Sequence, residues 1–218
     1  MRLPALVALA TLASAAQTPF RPVSTTVADI LYADSDYEAL VRLLQRARLI
    51  PTINRLNGST LFAPTNDAIN RHASTHPLWL AALQDPPYLP LADNVQEKLR
   101  QQLFYHLLNY TLDDVPADTS ALVLDTLLFP RKPPEGPTHE PPPSPPWMPV
   151  PGGSLGGAPQ RLRIATRDGH GYVSVDAFGK GGVEISKEKK TADNGAVFGI
   201  SDILVPPPDL GQPLFFSR

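Results

Sequence analysis

The sequence predicts an α+β fold with helices in its first half and antiparallel strands in its second. Two periodicities and a length point there. Tyr37, Leu40, Val41 and Leu44, and later Val95, Leu99, Leu103 and Leu107, recur at helical spacing. From Gln160 the period falls to two, with Leu162 and Ile164 alternating with Arg161 and Arg163. A chain of 218 residues with 42% hydrophobic residues can bury a single core, which suits one domain with tails. Helices gathered before strands, rather than alternating with them, favour α+β.

The N-terminus reads as a secretory signal over residues 1–16. Arg2 supplies the charge, Leu3–Leu12 the apolar run, and Ala13-Ser14-Ala15-Ala16 the small residues for cleavage after Ala15 or Ala16. The run is too short for a spanning helix, which needs about 20 apolar residues. Residues 17–25 form a leader, 26–210 the folded domain and 211–218 a tail. Behind a signal, the sequons Asn57-Gly58-Ser59 and Asn109-Tyr110-Thr111 are candidate glycan sites at Asn57 and Asn109. The expected location is secreted or cell-surface, with the vacuolar or endomembrane lumen as the alternative.

Ser35 to Glu38 has the form of a capping box opening a helix that carries Tyr37, Leu40, Val41 and Leu44. Pro51 interrupts this region. Asn57-Gly58 signals a turn, Ser59 to Ala63 a strand, and Thr65 the cap of a helix through Ile69. His72 to Pro90 reads as mostly irregular. Asn94 to Asn109 is the clearest helix, and Leu122 to Phe129 a strand. The Pro/Gly-rich stretch 130–159, with Pro141-Pro142-Pro143-Ser144-Pro145-Pro146, reads as a surface insertion. Glycines at 169, 171, 179, 181 and 182 punctuate the strands that follow, and Asn194-Gly195 suits a turn with positive φ. Val197 to Val205 is the last strand.

Composition excludes several functions. Lys+Arg 19 against Asp+Glu 21 leaves a net charge of -2 and no basic cluster for a phosphate backbone, so no nucleic-acid partner is expected. The absence of Cys (Cys 0) removes disulfide scaffolds, thiolate nucleophiles and Cys-zinc sites.

Three segments resemble signatures of the fasciclin-type domain: Ser59–Ile69 (STLFAPTNDAI), Leu103–Leu108 (LFYHLL) and Asn194–Pro207 (NGAVFGISDILVPP). Their order and spacing fit once the insertion is allowed for, and the resemblance covers nearly the whole mature chain. The insertion, with Trp147 to Gly153, looks most like secreted or endomembrane members from filamentous fungi. Those often carry two such domains, so the chain reads as a short or an incomplete member. The resemblance implies two β-sheets packed as a wedge or sandwich with helices along one side. It implies adhesion or matrix contact without catalysis or cofactor. The expected partner is a cell-surface or matrix protein or glycan. Ile69 stands where the family usually has an aromatic. Some animal members carry a receptor-binding Asp-Ile pair just before the closing Asn-Gly. Lys189-Lys190 occupy the matching positions and reverse the charge, so an integrin-like contact is not expected there. Asp202-Ile203 lies inside the closing strand and does not align.

Tyr105-His106, linked in the family to adhesion, is the candidate interaction site. A competing reading puts His106 on the helix's apolar face, its ring nitrogens bonded to loop backbone. His72 and His76 have a metal-like spacing, yet Ala73 replaces the Glu of a metalloprotease helix and no third ligand is evident, so no metal is expected. Gly152-Gly153-Ser154-Leu155-Gly156 matches a nucleophile elbow on paper, with Asp168 and His170 downstream. Its proline-rich flanks offer neither strand nor helix, so no catalytic residue is assigned. Gly179-Lys180-Gly181 reads as a hairpin turn, and Asp113-Asp114 as too sparse for calcium. Arg161, Arg163 and Arg167 line one strand face, either as a solvated strip or as an anionic-glycan contact. An endomembrane or vacuolar fasciclin-type protein acting in membrane or organelle contact, a serine hydrolase using Ser154 and a small-ligand carrier remain as alternatives.

Overall fold

The computed structural model describes residues 25–84, 91–116, 121–128, 159–174 and 182–206. The signal, nearly all of the leader and insertion, and the tail lie outside the described residues, as do Ser154 and Gly179 to Gly181.

Helix α1 (Val27–Ala33) begins on a capping box that the sequence reading passed over. Thr26 Oγ1 accepts from the Asp29 N–H, and the Asp29 carboxylate accepts from the Thr26 N–H. A 3₁₀ turn (Ser35–Tyr37) leads into α2 (Glu38–Arg46). The box expected at Ser35 is not how this helix starts, because Ser35 lies inside the 3₁₀ turn. Asp34 caps that turn through the Asp36 N–H, and the free Ala39 N–H of α2 donates to Asn66 Oδ1 at 2.9 Å. A side chain distant in sequence thus does the work expected of a local cap.

Pro51 opens α3 (Ile50–Arg55) rather than interrupting, since an early helical position needs no N–H. Strand β1 (Thr60–Pro64) and α4 (Asn66–Ala73), capped by Thr65, follow the sequence expectation. The irregular stretch expected over His72 to Pro90 instead contains the end of α4 and α5 (Pro77–Gln84). Trp79 and Ala82 of α5 are buried, and Leu78 and Leu83 pack against the same core. Helix α6 (Asp93–Phe104) stops short of the expected Asn109. Tyr105-His106 turn the chain, and Leu107–Leu108 become strand β2 because β1 takes them as antiparallel partners, Leu61 opposite Leu107.

The remaining strands are β3 (Leu122–Asp125), β4 (Arg161–Arg167), β5 (His170–Ser174), β6 (Val183–Ala192) and β7 (Gly195–Ile200). Seven strands run in the order β2-β1-β7-β6-β5-β4-β3. They make two sheets that share β6: Val183 and Glu184 pair with β5, while Ile185 to Ala192 pair with β7. Strands β1 and β7 are parallel, Phe62 opposite Phe198, which joins the first signature to the last. A bridge from Leu108 to Thr126, with the Leu127 N–H on Leu107 O at 2.8 Å, links the far ends of the sheets into a wedge. The β4–β5 hairpin turns at Asp168 and Gly169, both at positive φ, as a type I′ turn demands. The last strand ends at Ile200, so Asp202-Ile203 lies beyond it and not within it. Leu61, Phe62, Val197 and Ile200 from one sheet and Leu162, Ile164 and Val173 from the other belong to one buried cluster, to which α2 and α6 add Leu40, Leu44, Leu99 and Leu103.

Candidate functional site

The turn after α6 places Tyr105 and His106 at the junction of both sheets, and both are fully buried. The Tyr105 hydroxyl donates to Arg161 O at 3.1 Å and so ties α6 to the start of β4. Burial pushes its hydroxyl well above the usual tyrosine range. His106 Nδ1 lies 2.9 Å from Gln102 O, and Nε2 lies 3.0 Å from the Leu204 nitrogen. A carbonyl can only accept and an amide N–H can only donate. The ring is therefore the neutral Nδ1–H tautomer, donating to Gln102 and accepting from Leu204. Burial pushes its pKa down to about 4. The His106 carbonyl accepts the Phe62 N–H at 2.9 Å, so one residue fixes α6, β1 and the closing segment Ser201–Pro206.

Both His106 ring nitrogens bond backbone, Nδ1 within α6 and Nε2 on the closing segment. The residue sits in a turn, however, not on the helix face. Contact with a partner through the His106 ring or the Tyr105 hydroxyl has no open path in this conformation, because neither residue is exposed.

Two asparagines within the signature segments do comparable work. Asn66 Nδ2 donates to Ser35 O at 2.7 Å while its Oδ1 serves α2. Asn194 Oδ1 accepts from the Val27 N–H at 2.8 Å, and its Nδ2 donates to Ile53 O at 3.1 Å. Its backbone carbonyl accepts from Ser59 Oγ at 3.2 Å. At Gly195, φ +154, an added Cβ would stand 2.2 Å from Ser59 O, so glycine is required by close approach as well as by conformation.

Asn57 and Asn109 are both exposed and flank the short β1–β2 pair. Thr60 Oγ1 fixes this corner, donating to Tyr110 O at 2.8 Å and accepting the Leu112 N–H at 2.7 Å. A Cβ added at Gly58 would lie 3.4 Å from Thr111 Oγ1, so the two sequons sit side by side.

The His72 and His76 rings stack, 3.9 Å between centroids and 14° between planes. Lone pairs in two parallel ring planes do not converge on one ion. Among the described residues no group of at least three His, Asp or Glu is arranged to hold a metal. His72 also meets Trp79 edge-on at 5.3 Å, and the Trp79 indole N–H donates to Gln102 Oε1. His170 pairs with Glu184 at 2.9 Å on the surface. Lys190 pairs with Asp34 at 2.7 Å, Lys187 with Asp36, and Lys189 donates to Asp113 O. The lysines that reverse the family's charge are thus tied to intrachain partners. Of the arginine strip, Arg161 pairs with Asp125 at 2.9 Å and Arg167 lies over Tyr172, 4.3 Å from its centroid.

A helix-braced β-wedge whose signature polar groups hold its own backbone is a scaffold that presents surfaces. Residues 35–118 match the sequence model of the fasciclin domain. The chain is 47% identical over 47 residues to the transforming growth factor-beta-induced protein ig-h3 of Oryctolagus cuniculus, a match covering 22% of this chain and 7% of that protein. The fold matches a FAS1 domain pair from the insect cell adhesion molecule fasciclin I with a TM-score of 0.55 at 12% identity, over 83% of this chain. Residues 35–118 thus resemble a fasciclin domain, and the fold is of the FAS1 kind. It spans 51% of the solved pair, about half its length. Among the described residues no helix is long and apolar enough to cross a membrane.

Proposed function

We propose that this chain is a non-catalytic, secreted interaction module. It would contact a cell-surface or matrix protein or glycan through its outer faces and carry glycans at Asn57 and Asn109. One observation carries the reading. The polar side chains that mark the resemblance, Asn66, Tyr105, His106 and Asn194, each bond backbone within the fold. They are committed to holding the scaffold, which leaves recognition to the surface. Fasciclin I is named as a cell adhesion molecule, and that supports the same reading. Tyr105 and His106 then serve adhesion as positioning residues, by fixing the wedge that presents the contact face.

The test is expression of the tagged full chain. The expected product is in the medium, shifts in mobility after glycosidase treatment, and as bait on beads captures material from matrix or cell-surface extracts. A cytosolic, unglycosylated product would overturn the location. Capture no better than an unrelated glycoprotein would overturn the interaction role.

A further inference from the structure

Among the described residues the chain forms no further strand after β7, and Ser201 to Pro206 closes the wedge. Three polar contacts seat this segment. The Ser201 N–H donates to Glu184 O at 2.9 Å, the Arg71 guanidinium donates to Ser201 O, and the Leu204 N–H donates to His106 Nε2 at 3.0 Å. The segment's own Ile203 and Leu204 side chains are buried. The first two contacts keep their donor and acceptor at any ordinary pH. The third does not, because a protonated imidazole carries hydrogen on both nitrogens and has no acceptor left.

We propose that His106 is an acid-operated latch: its Nε2 holds the closing segment through the Leu204 N–H, and proton uptake by the ring releases Ser201–Pro206 while the sheets stay paired. A proton on Nε2 would face the Leu204 N–H, donor against donor, in a site sealed from water. Nδ1 offers no relief, since it already donates to Gln102 O. The surroundings add little compensation. Helix α6 offers the ring the Gln102 carbonyl, and β1 bonds the His106 carbonyl through the Phe62 N–H. From α4 come Arg71, which is cationic, and His72, whose charge disfavours a charge on His106. His72 stacks on His76 and is pushed down to about 4, chiefly by burial and then by His76. Asp202 is the segment's own carboxylate; it accepts the Ile203 N–H at 2.8 Å, and its charge is felt at His72.

Release returns the ring to water and to an ordinary histidine pKa near 6.5, against about 4 when latched. Linkage then raises the released fraction by roughly 20-fold between pH 7 and pH 5. The latch would loosen the same module in an acidic lumen and hold it outside.

Hydrogen exchange on the full chain, expressed as protection factors to remove the intrinsic pH dependence, tests this. Protection over 201–206 is expected to fall roughly 20-fold from pH 7 to pH 5, and to lie below that of β1 and β7 at both pH values, because those strands open only with the whole domain. In His106→Gln it should be the same at both pH values. If that variant does not fold, His72→Asn decides, because it keeps the latch and should keep the acid response. Three results would overturn the proposal: unchanged protection in the wild type, protection over 201–206 no lower than that of β1 and β7, or an acid response abolished by His72→Asn.

Discussion

Replacing Asn194 with Ala should cost the fold about 3 kcal/mol, far more than a turn asparagine ordinarily carries. The side chain accepts from the Val27 N–H and donates to Ile53 O, and both of those residues are fully buried. Each bond contributes about 1 kcal/mol net, and a buried N–H left without a partner costs a further 1–3 kcal/mol or so. At about 2–4 °C per kcal/mol for a domain of this size, the melting temperature should fall by roughly 6–12 °C. Urea unfolding measures the free energy, and an unchanged m-value confirms that the same surface is exposed. Asn70→Ala on the exposed face of α4 is the control, expected within about 0.5 kcal/mol. Hydrogen exchange adds a local signature, with Val27 losing protection ahead of the β1–β7 pair. A loss at Asn194→Ala no larger than the control's would refute the claim that this side chain clamps α1 and α3 to the sheet.

Gly195→Ala should destabilise by more than about 3 kcal/mol, because its Cβ would meet the Ser59 carbonyl at 2.2 Å; a soluble variant with a wild-type melting curve would contradict this. Tyr105→Phe leaves Arg161 O without its donor and should cost about 1–2 kcal/mol in the same urea assay, with little change in binding to matrix extracts. The folded pKa of His106, about 4, lies below its unfolded value of 6.5. The unfolded chain therefore takes up the proton first, and stability falls as pH drops from 6.5 toward 4. Wild type should lose about 2 kcal/mol between pH 7 and pH 5 from this group, and His106→Gln should lack that component when urea midpoints are followed against pH. Lys190→Met breaks a half-exposed pair with Asp34, and should cost no more than about 1 kcal/mol at low salt. If both sequons are used as proposed, Asn57→Gln and Asn109→Gln should each remove one glycan step from the expressed protein's mobility, and a single step for the unmutated pair would mean that neighbouring sequons compete.

Legibility in the sequence followed the range of the interaction. Strand alternation at Leu162 and Ile164, the Thr65 cap and the turn at Asn57-Gly58 are set by neighbours a few residues away, and each stands as read. The capping box at Thr26–Asp29 was equally local and was passed over, although its spacing is a plain helix-start signal. Helix α6 ends early for a reason no local pattern holds: β1 recruits Leu107 and Leu108, although Leu107 fits the helical stripe. The box expected at Ser35 fails likewise, because Asn66 reaches α2 from 27 positions away. At the site, a buried histidine was readable from the apolar positions around His106. Its partner Leu204, at a sequence separation of 98, was not.

That separation bears on how the signatures work together. The first segment supplies Asn66 to α2, the second supplies Tyr105 to β4 and His106 to the closing segment, and the third supplies Asn194 to α1 and α3. Each polar side chain acts on a segment outside its own motif, so none of the three can be altered without loosening another part of the wedge. Loss of adhesion on mutating Tyr105 or His106 would therefore not by itself locate a contact surface, since the same loss follows from a displaced face. A contact residue must instead be one whose removal abolishes binding at unchanged stability. Exposed side chains such as Tyr32 at 54% and Val123 at 49% can be removed at little cost to stability and so can be put to that test, whereas buried ones cannot.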